Sequence, residues 1–191
     1  IDIADNTVTH CFKGIILQNC LRGRVQSNRI YLTLDNGINL TSVSGTGADG
    51  CESIVIAGNV VENAGHHGLA CSGGKNNVFR DNVVKASWAA GFNGQHICNC
   101  DIVYNQFVGN NWKAHNGYSD TGENYAQVYI AGHDAIDQAA TTTYLITVTD
   151  NQFVRCGNGS VGSSRLIYIP SEMLAANYPV AARRIIFGSN R

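Results

Sequence analysis

The segment from Gly58 to Gly94, GNVVENAGHHGLACSGGKNNVFRDNVVKASWAAGFNG, contains the same pattern twice. Asn59-Val60-Val61 recurs as Asn82-Val83-Val84, displaced by 23 residues (82 − 59), and Gly68-Leu69 recurs as Gly91-Phe92 at the same displacement (91 − 68). A repeat of this length is typical of a solenoid, in which each repeat forms one coil stacked on the previous one.

The Asn-x-apolar pattern extends along the whole chain, and a large apolar residue lies three positions before each Asn. Its six complete copies begin at Asn6, Asn28, Asn59, Asn82, Asn105 and Asn151. Asn190, three residues after Phe187, begins a seventh. The successive intervals are 22, 31, 23, 23, 46 and 39 residues, so the base period is 22–23 and several coils carry insertions.

The apolar stretches are short and β-branched and lack helical spacing, which favours an all-β fold. We predict a right-handed parallel β-helix of about six to seven coils, with residues 1–191 as a single domain that is a fragment of a longer chain. In each coil a first strand ends at the Asn, which adopts the left-handed backbone of a tight bend and joins a ladder of stacked amides. A second strand follows, and then a glycine (Gly14, Gly37, Gly68 or Gly91) opens the third strand, which is predicted to span Leu69–Cys71 and Phe92–Gly94 in two central coils.

The repeated Asn-x-apolar unit resembles the parallel β-helix repeat family of pectate lyases, polygalacturonases, alginate-modifying enzymes and phage tailspikes. The resemblance implies a sugar-binding groove on the outer face of the third sheet. Among these proteins the chain is most similar to a bacteriophage tailspike or tail fibre, and tailspike-like proteins are homotrimers whose neighbouring chains cover the flanks of the helix.

The composition indicates which classes of partner and cofactor are not expected. Only 14% of residues are charged, the net charge is −1 and no basic block occurs, so we expect no nucleic-acid partner. No apolar run approaches a membrane span, so we expect no membrane insertion. Seven cysteines without zinc-site spacing indicate free thiols and neither metal nor cofactor. Cys20 and Cys51 each precede their Asn by eight residues, which predicts a stacked thiol pair, with a disulfide as the alternative.

Insertions mark the candidate site, because loops of a solenoid vary without disturbing its core. Long loops lie at 109–124, after Ala131 and after Pro170, on both sides of the third strand. Strand alternation places polar and aromatic residues on the outer face of that strand, and the loops supply tryptophans that can stack on sugar rings. We therefore predict substrate binding by Trp88, Asn93, Trp112, Lys113, Tyr129 and Tyr168.

The catalytic candidates are acidic residues of two facing loops. Asp120 and Glu123 lie in one loop, and His133 and Asp134 in the other. Glycoside hydrolysis needs a protonated and an ionised carboxyl group about 5–10 Å apart, and Glu123 with Asp134 is the preferred pair. Elimination would instead use a base such as Lys113 or His133. The Asp cluster and exposed Arg of Ca²⁺-dependent pectate lyases are missing, which favours hydrolysis.

Three functions remain open at this stage. The first is a tailspike that binds and depolymerises a host-surface polysaccharide (capsule, O-antigen or exopolysaccharide) and belongs to a virion tail assembled in the host cytoplasm. The second is a secreted bacterial polysaccharide lyase, hydrolase or epimerase, against which seven unpaired cysteines count. The third is a structural shaft or adhesin without catalysis.

Overall fold

The protein is a stack of parallel β-coils, as seen in a computed structural model that describes residues 1–42, 50–111, 126–131, 144–154, 165–168 and 183–191. These residues form 19 strands and no helix, so the described part has no helix that could cross a membrane. All pairings between strands are parallel. The predicted all-β right-handed parallel β-helix is confirmed.

The strands fall into three series, one for each side of the coil. The first series is β1 (Asp2–Ala4), β4 (Leu21–Gln26), β7 (Cys51–Ala57), β10 (Val78–Arg80), β13 (Cys100–Val103), β16 (Tyr144–Thr149) and β19 (Arg183–Gly188). The second is β2 (Thr7–Cys11), β5 (Arg29–Thr33), β8 (Val60–Ala64), β11 (Val83–Lys85), β14 (Gln106–Val108) and β17 (Gln152–Val154). The third is β3 (Ile15–Gln18), β6 (Ile38–Thr41), β9 (Leu69–Lys75), β12 (Phe92–Cys98), β15 (Ala126–Ala131) and β18 (Arg165–Tyr168).

The third strands β9 and β12 are longer than the sequence predicted. They were expected to end at Cys71 and Gly94, but they continue to Lys75 and Cys98. The reason is that the pairing does not stop at the third corner: β9 pairs with β7, where Cys51 lies opposite Gly74. The first and third series are thereby joined in one 13-stranded sheet, and the second series forms a separate sheet of six strands.

The core is built from stacked apolar residues at equivalent positions of successive coils. The apolar residue three positions before each ladder Asn is one such position, and its pairing runs continuously through Ile3, Val25, Ile56, Phe79, Ile102, Val148 and Phe187. Val25, Ile56, Phe79, Ile102 and Val148 are completely buried. Each coil thus buries apolar surface against its neighbours, and this burial is the main favourable term in the stability of the stack.

Seven asparagines form an unbroken ladder at the corner between the first and second strands. Each side-chain Nδ2 donates to Oδ1 of the Asn in the next coil, over distances of 2.9–3.2 Å. The same Oδ1 also accepts the backbone N–H of the preceding Asn, at 2.9–3.1 Å. From Asn28 onward, Nδ2 also donates to the carbonyl three residues before the preceding Asn, for example from Asn82 to Ile56 O at 2.9 Å. The Asn side chain therefore gives the backbone N–H of the preceding Asn an acceptor and adds a donor to a carbonyl of the first strand.

The left-handed residue at this corner is the one before each Asn, so the prediction that the Asn itself adopts this backbone was wrong. The preceding residues have φ between 41° and 62°, and they are Asp5, Ser27, Gly58, Asp81, Tyr104, Asp150 and Ser189. No ladder Asn has a positive φ. The physical reason is that the preceding residue makes the turn. The Asn can then keep a backbone conformation that directs its amide along the stack.

The glycines before the third strand are required by close packing. A Cβ on Gly68 would collide with Val84 Cγ1 of the next coil, and a Cβ on Gly91 would lie 2.6 Å from Phe107 Cδ1. Neither glycine has a left-handed backbone. The core side chain of the following second strand therefore occupies the space that a side chain at this position would need.

Replacing a central ladder residue tests how much the corner contributes. Asn82→Ala removes an acceptor for the Asn59 backbone N–H and donors for Ile56 O and Asn105 Oδ1, all of them buried. We expect the free energy of unfolding to fall by about 1–3 kcal/mol, measured by urea denaturation. Asn6→Ala is the control, because Asn6 is exposed and its Oδ1 accepts no ladder bond. Equal losses in the two variants would contradict this account.

A second variant tests the backbone cost of the corner. Tyr104 has φ 56° and is 61% exposed, so its side chain gains little from burial while its backbone is strained. Tyr104→Asn is expected to raise the free energy of unfolding by about 1 kcal/mol, since Asn tolerates this conformation better. Tyr31→Asn, at a position of strand β5 without a positive φ, is the matched control and should be destabilising.

Candidate functional site

The third strand series, called the third sheet below, carries on its outer face a row of residues that lie opposite one another in successive coils. The pairing runs through Ile16, Asn39, Ala70, Asn93, Tyr129 and Tyr168. Their strand neighbours Ile38, Leu40, Leu69, Phe92 and Val128 are buried in the core, which directs the row outward. Strand alternation predicted this side of the strand for Asn93 and Tyr129, but Asn39, Ala70 and Asn93 are buried, and Ile16 and Tyr129 are the described row members with appreciable exposure. The side chain of Tyr168 lies outside the described residues, and its backbone is opposite Tyr129.

Asn93 is less accessible than expected for a residue of an open groove. It is only 6% exposed, and its Nδ2 lies 2.7 Å from Nε2 of buried His67 in the neighbouring coil. Because an amide nitrogen can only donate, Nε2 accepts and the neutral ring carries its proton on Nδ1. Asn93 is therefore held by a partner in the protein.

His67 is held in the neutral state. Burial lowers the pKa of His67 well below 6.5, and the neighbouring His66 lowers it further. The two rings are close, with centroids 3.8 Å apart and planes tilted by 43°. His67 thus provides a fixed, uncharged hydrogen-bonding group directly beneath the outer row.

A charged cluster lies at the corner beside this row. Lys13 Nζ is 3.3 Å from Asp35 Oδ2, and His66 Nδ1 is 3.6 Å from Asp35 Oδ1. The three residues come from three successive coils, and each lies seven positions after its ladder Asn (13 − 6, 35 − 28, 66 − 59). This spacing is the signal that could have identified the cluster from the sequence. All three side chains are partly exposed, so the cluster is available to a ligand.

Trp88 stands next to the charged cluster in the following coil. Its backbone N–H donates to Ala64 O at 2.9 Å, and the next residue, Ala89, donates to His66 O at 2.9 Å. Trp88 is 43% exposed. The corner therefore combines a partly open indole ring with Lys13, Asp35 and His66, a combination suited to stacking on and hydrogen bonding to a sugar.

The predicted substrate residues are thus only partly covered by the structure. Trp88 is exposed, Asn93 is buried, and Tyr129 is partly buried in the outer row. The remaining candidates lie outside the described residues: Trp112, Lys113, Asp120, Glu123, His133 and Asp134. Within the described part of the chain, no group of three or more His, Cys, Asp or Glu side chains is placed to hold a metal ion.

A family model described as a right-handed β-helix region matches residues 1–111, more than half of the chain. The chain belongs to this family. Membership of this family is compatible with a function in polysaccharide binding or degradation. A search among curated proteins returned no match. The matched segment contains the outer row from Ile16 to Asn93, the charged cluster and Trp88.

The neutral state of His67 makes stability depend on pH. Below pH 6.5 the unfolded chain binds a proton at His67 that the folded chain does not, so the free energy of unfolding decreases as the pH falls. The free energy of unfolding loses nothing through His67 above pH 6.5. Below that pH its decrease approaches about 1.4 kcal/mol per pH unit. His67→Gln should flatten the dependence between neutral pH and pH 5 in urea titrations. His66→Gln is the control and should retain it; equal flattening would show that His67 is not the group responsible.

Proposed function

We propose that the protein binds a polysaccharide along the outer face of the third sheet and cleaves it by glycoside hydrolysis. The polysaccharide is a capsule, O-antigen or exopolysaccharide, and the protein acts as a tailspike. The observation that carries the binding proposal is the placement of exposed Trp88 beside the charged cluster and the outer row. An exposed indole next to fixed hydrogen-bonding groups is suited to an amphipathic ligand such as a sugar.

The repeat of the scaffold matches the repeat of a polymer. Successive coils lie about 4.8 Å apart, so a ligand extended along the solenoid axis meets one outer-row position per coil. Of the described residues at these positions, Asn39 and Asn93 are buried and Tyr129 is partly buried, so its phenol is the outer-row polar group nearest to the ligand. The low charge of the chain, net −1, fits recognition by hydrogen bonds and stacking.

Cleavage is assigned to the carboxylates of the two long loops. Glu123 and Asp134 supply one group that protonates the leaving oxygen and one that acts as nucleophile or base. Asp120 and His133 accompany them in the sequence. Elimination by Lys113 or His133 is the competing chemistry, and it leaves an unsaturated sugar that absorbs in the ultraviolet.

Assembly as a homotrimer in a virion tail is part of the same proposal. The first two coils expose large apolar side chains that a neighbouring chain would cover, namely Phe12, Ile16, Leu21, Tyr31, Leu32 and Leu34. Phe12 and Leu34 lie opposite each other in adjacent coils, and an exposed apolar patch of this kind fits an interaction site. A secreted enzyme acting as a monomer, or an adhesin without catalysis, would be the alternatives.

The test is a panel of bacterial capsular, O-antigen and exopolysaccharides, each assayed for binding and for loss of chain length. For a polysaccharide that binds, Trp88→Ala should raise the dissociation constant about tenfold, because it removes the stacking surface. Tyr104→Ala, an exposed aromatic at the ladder corner, is the matched control and should bind like the unmodified protein. Unchanged binding by Trp88→Ala would place the ligand elsewhere.

The same panel separates the chemistries. Glu123→Gln and Asp134→Asn should each abolish shortening of the polymer while leaving binding intact, with Asp150→Asn as a carboxylate control outside the loops. Shortening without ultraviolet absorbance supports hydrolysis, and new absorbance supports elimination. Binding without shortening would reduce the function to adhesion, and failure to bind any member of the panel would overturn the proposal.

A further inference from the structure

Two cysteines from adjacent coils lie opposite each other at the corner where the third strand leads into the first. Leu21 pairs with Glu52, and the Glu52 N–H donates to Cys20 O at 2.9 Å. The residues immediately before this pair are Cys20 and Cys51. Both are free thiols in the structure.

The two thiols are directed to the same place. Cys51 Sγ donates to Leu17 O at 3.2 Å, and Cys20 Sγ donates to Gln18 O at 3.5 Å. These carbonyls belong to consecutive residues at the end of β3. Cys20 also packs against the apolar cluster that contains Cys51. The Cys51 thiol also interacts with the Cys20 side chain, so the two thiols are neighbours as well as in register.

The separation of neighbouring strands suits a covalent link. Adjacent parallel strands are about 4.8 Å apart. A disulfide needs Cα atoms about 4.4–6.8 Å apart, so the two sulfurs can be joined by side-chain rotation with little movement of the backbone. We propose that Cys20 and Cys51 are a disulfide-forming pair, which cross-links two coils when the protein meets a low-molecular-weight disulfide such as glutathione disulfide.

The difference in exposure sets the order of the steps. Cys20 is partly exposed and Cys51 is fully buried. The Cys20 thiolate attacks the small disulfide, forming a mixed disulfide and releasing one glutathione thiolate. The Cys51 thiolate then attacks Cys20 Sγ and releases the second glutathione. Two protein thiols lose their protons and two electrons, and the oxidised glutathione is reduced to two thiols.

Burial makes the second step the slow one. Desolvation raises the pKa of the Cys51 thiol, and the Cys20 thiol beside it contributes to the increase. Closure of the disulfide should therefore accelerate as the pH rises above neutrality, because only the thiolate is a nucleophile.

The other described cysteines lie opposite residues other than cysteine in the paired strands. Cys11 lies opposite Thr33, and Cys51 lies opposite Gly74 on its other side. Cys98 and Cys100 belong to the same coil, and Cys100 Sγ donates to Cys98 O at 3.3 Å. Cys71 is fully buried and has its pKa raised well above the usual value by desolvation. Cys20 and Cys51 are thus the described pair in which one thiol is accessible and its partner is adjacent.

The test is oxidation of the folded protein by glutathione disulfide, followed by intact mass spectrometry and peptide mapping without reduction. We expect a species lighter by about 2 Da. After trypsin digestion, peptide 14–22 should be linked to peptide 30–75, and fragment ions should assign the bond to Cys51. Cys20→Ser should prevent this species, while Cys98→Ser, a part-exposed control, should form it. The cross-link should also raise the midpoint of thermal unfolding by about 5 °C.

Three results would overturn the proposal. One is a stable glutathione adduct on Cys20 that never closes, even at alkaline pH. Another is a link from peptide 14–22 to Cys71 instead of Cys51. The last is an unchanged yield of the lighter species in the Cys20→Ser variant. None of these readouts depends on polysaccharide binding, so they are independent of the proposed function.

Discussion

The structure depends on one recurring interaction: an asparagine side chain that bonds to the coils before and after it at a corner where the strands cannot. A solenoid turns its chain three times per coil, and a turn can leave backbone groups without a strand partner, as at the ladder corner, where the N–H of an Asn bonds to a side chain. Buried groups left unpaired in this way are costly. The ladder Asn accepts one N–H and donates to one C=O of the previous coil, while it holds its equivalent in the next. The same device occurs singly at the other corners, where Asn77 bonds to Ile54 N and Cys51 O, and Asn110 bonds to Ser87 N and Val84 O.

The features that were predictable from the sequence are those that require a particular residue type at a fixed interval. The ladder needs an amide, the glycine position needs the absence of a side chain, and the core needs an apolar residue three positions before each Asn. The left-handed residue was missed because Asp, Ser, Gly and Tyr all occupy it. Its conformation is imposed by the ladder on either side, so no single residue type reveals it.

The candidate site was predictable in outline and less so in detail. Strand alternation correctly gave the face on which Asn93 and Tyr129 lie, because the period of two is a property of the strand itself. It did not show that Asn93 is covered and bonded to His67, since burial depends on which groups pack above the face. The charged cluster of Lys13, Asp35 and His66 was overlooked, although its members repeat at the intervals of the ladder. Exposed ion pairs contribute little to the free energy of unfolding, so we attribute the role of these three side chains to ligand contact.

The spacing of the ladder has a consequence for how such a protein changes. Its members remain in contact whether 22 or 46 residues separate them in sequence. An interval twice as long therefore leaves the ladder bond between neighbouring coils intact. Loops are therefore exchangeable parts: natural variation or engineering can replace an excursion, and with it the surface that a ligand meets, while the same corners hold the coils together.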